Sequence, residues 1–359
     1  MPIKKMSYAN NKKQPPIMQE KPTASEWRVD LHNWDSPPFN RWAFSNCREF
    51  LPTANIAHRP DGVLPLATQL QDLGPVSFTD HRGKASTLQK YIDEGYTDAY
   101  LILHRGKLVY EQYRAFTNAA SCHLLQSVGK SIIGVVAQRL KADGVLDPAA
   151  EITSILPELK DTGYRGGATV QQAMDMSTGI NFEETYISPL EGDCYWLDVA
   201  NGWKPAQKGA ALDNLSFIKG YTKKPLFPHG QQMIYRCIET DVITHCLEKL
   251  TQRPIAELIS EYIWQPMGAE ADAYISLDSS GYGIGSGGIS ARARDMVRFG
   301  LMMISGGNIN GRQLLPERWV DECYNPEPLG FDNTRYELKP CGGYKNFFWI
   351  KNVNLPTIL

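Results

Sequence analysis

No stretch of the 359-residue chain approaches the ~18 consecutive apolar residues that would cross a bilayer. The N-terminus, Met1-Pro2-Ile3-Lys4-Lys5-Met6-Ser7, does not lead into the apolar run of a secretory signal, so the expected compartment is the cytoplasm. An excess of one charge is also missing. Lys plus Arg number 37 and Asp plus Glu 39, a net charge of −2. That balance excludes a nucleic-acid binder driven by overall basicity and a charge-rich disordered chain. Cysteine pairs at metal-binding spacing are absent too. The seven cysteines (Cys47, Cys122, Cys194, Cys237, Cys246, Cys323, Cys341) are scattered, with no Cys-x-x-Cys, and read as free thiols in a reducing compartment. No metal or cofactor set is read from them. Internal repeats and low-complexity tracts are lacking.

What is present is an ordinary globular composition, 42% apolar and 21% charged. At ~150 residues per domain the length suits about two domains. Residues 1–40 are polar and carry Pro15-Pro16 and Pro37-Pro38, which predicts an extended arm that wraps a later domain or stays loose. Its lysines Lys4, Lys5, Lys12 and Lys13 read as a solvated tail. Ala99–His104 and Lys107–Tyr113 are β-rich runs joined at Arg105-Gly106, the pattern of a tight antiparallel hairpin. Over residues 127–140, Val128, Ile132, Val135, Val136 and Leu140 recur at helical spacing, and Asp143-Gly144 closes the run. The block from 145 to about 280 alternates short helices with turn-rich stretches; clear helices are expected over 238–250 and 254–264. Ser290 is expected to cap a helix running to Met303, ended by Gly306-Gly307. A short helix over 315–324 and a strand over 346–350 follow.

The chemistry centres on Ser127-Val128-Gly129-Lys130, a Ser-x-x-Lys. Positions i and i+3 share a helix face, so hydroxyl and amine can meet. The positive helix end is expected to lower the Lys130 pKa, leaving an amine that takes the serine proton. N-terminal N–H groups would face a developing oxyanion. Gly129-Lys130-Ser131 imitates the end of a phosphate loop, but that loop needs glycine where Leu124 stands. Tyr235-Arg236-Cys237 precedes the 238–250 helix and offers a phenol as a proton relay. Gly283-Ile284-Gly285-Ser286-Gly287-Gly288 formally matches Gly-x-Gly-x-x-Gly. The acidic residue a dinucleotide site wants about 20 positions on is missing, and a glycine turn passing close to a pocket is the better account.

These residues together resemble the serine β-lactamase-like hydrolases, the class C β-lactamase and esterase group, and within it the branch of 6-aminohexanoate-dimer hydrolases that cut nylon oligomers. The similar segments are Asn40-Arg41-Trp42-Ala43-Phe44, residues 96–113 and 123–131, Tyr235 with Thr240-Asp241, and residues 282–303. The resemblance implies an α/β (α+β) β-lactamase/transpeptidase-like fold. Its antiparallel sheet domain would take residues 41–145 and 281–359, with an inserted helical domain over 146–280 and the site at their junction. It implies Ser127 as acylated nucleophile, Lys130 as its base partner and Tyr235 as the tyrosine of the second motif. Tyr186 is similar to a mobile-loop tyrosine, and Asp198 to a carboxylate that binds a substrate amine. Cys237, Ser286 and Gly287 would line the substrate pocket. The expected partner is a small ester or amide, with no cofactor, no nucleic acid and no membrane; a homodimer is left open.

Three departures stand out. Cys237 replaces the family's Asn or Ser, Ser286 replaces an Asn, and no Lys-Thr-Gly or His-x-Gly follows Phe347-Phe348-Trp349-Ile350 before Leu359. The last strands of the sheet are therefore expected to be missing. Three readings follow: an acyl-enzyme hydrolase, a truncated or degenerate homologue with weak catalysis, and a β-lactam-reactive penicillin-binding-like protein.

Overall fold

The computed structural model describes residues 15–80, 83–185, 192–325, 330–331 and 342–351. The central element is a four-stranded antiparallel sheet. Its strands are β1 (Thr53–Ile56), β2 (Cys122–Leu124), β3 (Ala273–Ser276) and β4 (Ile289–Arg292), in the spatial order β1-β3-β4-β2. β3 falls within residues 146–280 in sequence, yet it pairs with β1 through Ile56↔Ala273 and with β4 through Ile289↔Ile275. All four of its residues are buried, as a short apolar strand covered on both faces requires.

Four helices position the site: α1 (Gly129–Ala142), α2 (Asp193–Ala200), α3 (Cys237–Thr251) and α4 (Ala293–Ile304). Ile132, Ile133, Val135 and Val136 of α1 share one continuous core with Ile243 and Leu247 of α3, Ile275 of β3 and Ile289 of β4. The helical block and the sheet are thus packed across a common apolar interior, the dominant favourable term in folding.

The Ala99–His104/Lys107–Tyr113 hairpin forms, with a bulge at Ile102/Leu103. Arg105 and Gly106 both take positive φ (50° and 74°), the two-residue turn whose twist suits the strands. The hairpin lies in its own three-stranded sheet, with Ala67–Thr68 parallel to its second strand.

Other sequence expectations need correction. Ser290 does not cap a helix. It sits inside β4, fully buried, opposite Leu124 on one side and Tyr274 on the other. With ladder partners on both flanks it is held extended, and α4 starts at Ala293 behind Arg292 with no side-chain cap. The strand expected from 346 starts at Phe348; Asn346 and Phe347 (φ 52° and 65°) make the turn of a hairpin pairing Gly342–Lys345 with Phe348–Lys351. The helix expected over 254–264 is α-helical over Ile255–Ile259 and π-helical over Ser260–Trp264. The helix expected from 315 starts at Glu317, because Pro316 (ψ 130°) is extended.

From residue 15 the arm packs down. Ile17, Val29 and Trp34 form a second core cluster with Trp203, Tyr274 and Ile284. The six described cysteines are free thiols, and among the described residues no helix is long and apolar enough to cross a membrane.

Candidate active site

Ser127 stands ahead of α1, in a single 3-10 turn over Gln126–Val128. The expected first turn of the helix is therefore 3-10 in this chain. Side chains at i and i+3 eclipse in that geometry, so the Ser127–Lys130 spacing still brings the two groups together. Gln126 takes φ +47°, the left-handed region that a residue with a Cβ rarely adopts and that recurs at functional sites. That reversal leaves Ser127 and Val128 exposed while Gly129 and Lys130 are buried.

Lys130 is completely buried. Its Nζ donates to Ser127 Oγ at 3.0 Å, to Cys237 Sγ at 3.3 Å and to the Ser286 carbonyl. Tyr235 is a further side-chain hydrogen-bond partner of Lys130 and also of Ser127. Nζ also lies 5.3 Å from the centroid of the Tyr235 ring. Tyr235 is buried, stacked on Trp349 at 5.3 Å and edge-on to Tyr344 at 5.9 Å.

The electrostatics reverse one expectation. Burial by itself pulls the Lys130 pKa down, but the ionisable neighbours Cys237, Tyr235 and Glu184 outweigh it, and the pKa is raised. Burial pushes Tyr235 up, with Lys130 partly opposing. At neutral pH the pair is an ammonium beside a phenol.

Glu184 is a site residue that the sequence reading passed over. Its Oε1 accepts the Cys237 thiol at 2.7 Å and its Oε2 accepts the Cys237 backbone N–H at 2.8 Å. Cys237 opens α3, so this N–H is one of the helix's unpaired donors, and a carboxylate there is doubly favoured. The available signal was an acidic residue two positions before Tyr186. Tyr186 itself lies outside the described residues.

The Gly283–Gly288 run links β3 to β4 and passes beside the site. Ser286 is the contact point. Its N–H donates to Asp241 Oδ1 at 2.9 Å, and its carbonyl receives Lys130. Asp241, on α3, also accepts Asn214 Nδ2 at 3.1 Å, and burial pushes it up to about 6. A Cβ on Gly287 would stand 3.0 Å from the Trp203 ring and 3.2 Å from Gln126 Oε1. Glycine there lets the loop press against the turn that carries Ser127.

Asp198, on α2, makes no hydrogen bond to Ser127, Lys130 or Tyr235 among the contacts described. Burial pushes it up to about 7; Lys204 offsets part of that rise, and Asp35, Glu184 and Asp241 add to it. Lys204 is itself paired with Asp35 at 2.5 Å. The structure thus brings Ser127, Lys130, Tyr235, Cys237 and Ser286 together, and sets Asp198 to one side among charges of its own chain. Among the described residues no group of three or more His, Cys, Asp or Glu could hold a metal ion.

The family model described as Beta-lactamase matches residues 88–347. A 6-aminohexanoate-dimer hydrolase from Paenarthrobacter ureafaciens is 33% identical over 309 residues, 84% of this chain and 74% of that protein. A solved structure described as "Putative 6-aminohexanoate-dimer hydrolase from Bacillus anthracis" is 28% identical with a TM-score of 0.83, covering 92% of this chain and 85% of its own. EstCE1, described as a hydrolase with promiscuous acyltransferase activity, shares the fold at a TM-score of 0.57 and 17% identity, over 72% of this chain and 79% of its own. The architecture is the β-lactamase/transpeptidase-like one that the motifs imply.

Proposed function

The chain belongs to the beta-lactamase family of hydrolases, and from that premise we propose that it is a serine hydrolase carrying its acyl group on Ser127. Its substrates are small esters or amides, including linear amide oligomers of the kind named for the relatives. The observation that carries this reading is the 3.0 Å contact from a wholly buried Lys130 to an exposed Ser127. A serine hydroxyl is inert at its own pKa and needs such a partner to become a nucleophile.

In this reading Ser127 Oγ attacks the substrate carbonyl, and its proton is handed to Lys130 as Lys130 passes one of its own to a buried neighbour. The proton returns to the leaving alkoxide or amine. Water then attacks the acyl-enzyme with the same groups serving in reverse. Lys130, as an ammonium, stabilises the oxyanion side of each step by its charge. Val128, next to Ser127, and Trp349, stacked on Tyr235, are 55% and 43% exposed and offer apolar surface suited to an alkyl chain.

The test is turnover of a short-chain chromogenic ester and of 6-aminohexanoate dimer by the wild type and by Ser127→Ala. The wild type should release alcohol or amine and the variant should not. Equal turnover by both overturns the assignment.

A further inference from the structure

With Lys130 already an ammonium, the proton leaving Ser127 needs somewhere to go. Of the groups around Lys130 Nζ, Ser127 is the donor, Ser286 offers only a carbonyl, and Tyr235 is a phenol that burial keeps protonated. Cys237 is the one that can pass a proton on to a carboxylate: its sulfur accepts from Lys130 at 3.3 Å while its thiol donates to Glu184 Oε1 at 2.7 Å. Building on the serine-hydrolase reading, we propose that Glu184 is a positioning residue for Lys130, the carboxylate end of a relay Ser127–Lys130–Cys237–Glu184 that receives the serine proton.

The step balances without any outside reagent. The Ser127 O–H bond breaks as Oγ bonds to the substrate carbonyl carbon, and that proton forms a new N–H on the Lys130 lone pair that a departing proton frees. Lys130 gives one of its original protons to Cys237 Sγ, and Cys237 gives its own thiol proton to Glu184. One negative charge has moved from the Glu184 carboxylate to the substrate oxyanion. Lys130 finishes as it began, an ammonium beside that oxyanion. The reverse sequence hands a proton to the leaving group.

Cys237 then has a role that its sulfur fits. A residue at this position must accept and donate at once, which a thiol or a hydroxyl can do. The bond from the Cys237 backbone N–H to Oε2 fixes the carboxylate so that Oε1 meets the thiol. Other groups face the relay: Cys194 and Asp198 from α2, Asp241 from α3, Tyr235, and Tyr344 from the Gly342–Lys345 strand. Burial keeps Cys194, Tyr235 and Tyr344 protonated, and among the contacts described neither Asp198 nor Asp241 is hydrogen-bonded to Lys130 Nζ or Cys237 Sγ.

Steady-state kinetics of Glu184→Gln, Cys237→Ala and Cys237→Ser, with Ser127→Ala as reference, test the proposal. Glu184→Gln keeps the shape and removes the acceptor; Cys237→Ala cuts the path; Cys237→Ser restores it. Glu184→Gln and Cys237→Ala should each lower kcat by ~10²-fold or more, the usual worth of a placed acid or base, with KM little changed. The double variant should be no worse than either single one, because both break the same path. Cys237→Ser should recover most of kcat. Residual turnover in Glu184→Gln requires Lys130 to lose a proton to water. Its deficit against the wild type should therefore shrink as pH rises, by up to roughly tenfold per unit for one proton. A purely structural role would leave that ratio flat. Glu184→Gln or Cys237→Ala within ~3-fold of the wild type, or a pH-independent ratio, overturns the relay while an inert Ser127→Ala leaves the hydrolase reading standing. An active Ser127→Ala overturns that reading itself.

Discussion

Trp34 donates its indole N–H to the backbone carbonyl of Trp203 at 2.7 Å, joining residues 169 positions apart in the chain. Trp34 is 1% exposed, and Trp203 in turn donates to Ser276 Oγ at 3.1 Å and lies against Gly287. The N-terminal arm is therefore a wall behind the site. Trp34→Ala is expected to cost ~3–5 kcal/mol, the range for emptying a buried tryptophan position. Urea unfolding should show a lower midpoint with an unchanged slope. A loss under ~1 kcal/mol would mean that the arm is an appendage.

Gly288→Ala is expected to remove activity and lower stability together. A Cβ there would stand 2.3 Å from Ser276 Oγ and 2.8 Å from the Ile284 carbonyl, and the second is backbone that cannot rotate away. Overpacking of this kind costs ~1–3 kcal/mol, and the shift falls on the run that carries Ser286 to Lys130. Ester turnover and thermal melting of the variant measure both effects. Wild-type values in each would show that the run is not constrained.

Lys130→Arg is expected to be as inactive as Lys130→Ala. The buried ammonium meets three acceptors in a compact arrangement, and a planar guanidinium cannot reproduce it. Both variants should lose at least ~10³-fold in kcat, since nucleophile activation fails as a unit. Recovery of turnover by arginine would show that only the positive charge matters.

Stability is expected to fall as pH rises from 5 to 7.5. Burial pushes Asp198, Glu239 and Glu248 up to about 7, and Asp241 up to about 6. Across that window the folded protein keeps protons that the unfolded chain has released, so each carboxyl favours folding at the acid end and loses that contribution as pH climbs. His245, pulled down to about 4 by burial, acts in the opposite sense, because the unfolded chain binds the proton that the fold refuses. Asp295 is pushed up to about 6 as well, so five raised carboxyls outweigh one histidine. The melting temperature at pH 5.5 should exceed that at pH 7.5 by ~2 °C or more. Glu248→Gln, which keeps an acceptor for the Ile255 N–H, should flatten the slope. A melting temperature that rises over the same interval contradicts this assignment.

Features resting on local chemistry were legible in the sequence. The hairpin at Arg105-Gly106 shows a two-residue turn between β-rich runs, and α1 shows its apolar spacing. Ser127 and Lys130 meet because i and i+3 meet in any tight helix. The misreadings come from long-range pairing. Ser290 has the composition of a cap, but strands from residues 122–124 and 273–276 claim its backbone on both sides. Asn346 reads as a strand start because its opposing strand lies just upstream, where Gly342-Gly343-Tyr344-Lys345 shows no β pattern. Glu184 was passed over because its partner is 53 residues away and its meaning depends on a thiol at the start of α3. The Lys130 pKa has the same origin: the helix end is visible in sequence, whereas the ionisable groups facing it are contributed by other segments.

The most direct measurement of the central claim is mass mapping of a fluorophosphonate adduct. Wild-type protein treated with the reagent at neutral pH should gain one phosphonyl group, located by peptide sequencing on Ser127, with loss of ester turnover in step. Ser127→Ala should stay unlabelled. Labelling at another residue, or full turnover by a protein that takes up no label, would contradict the account.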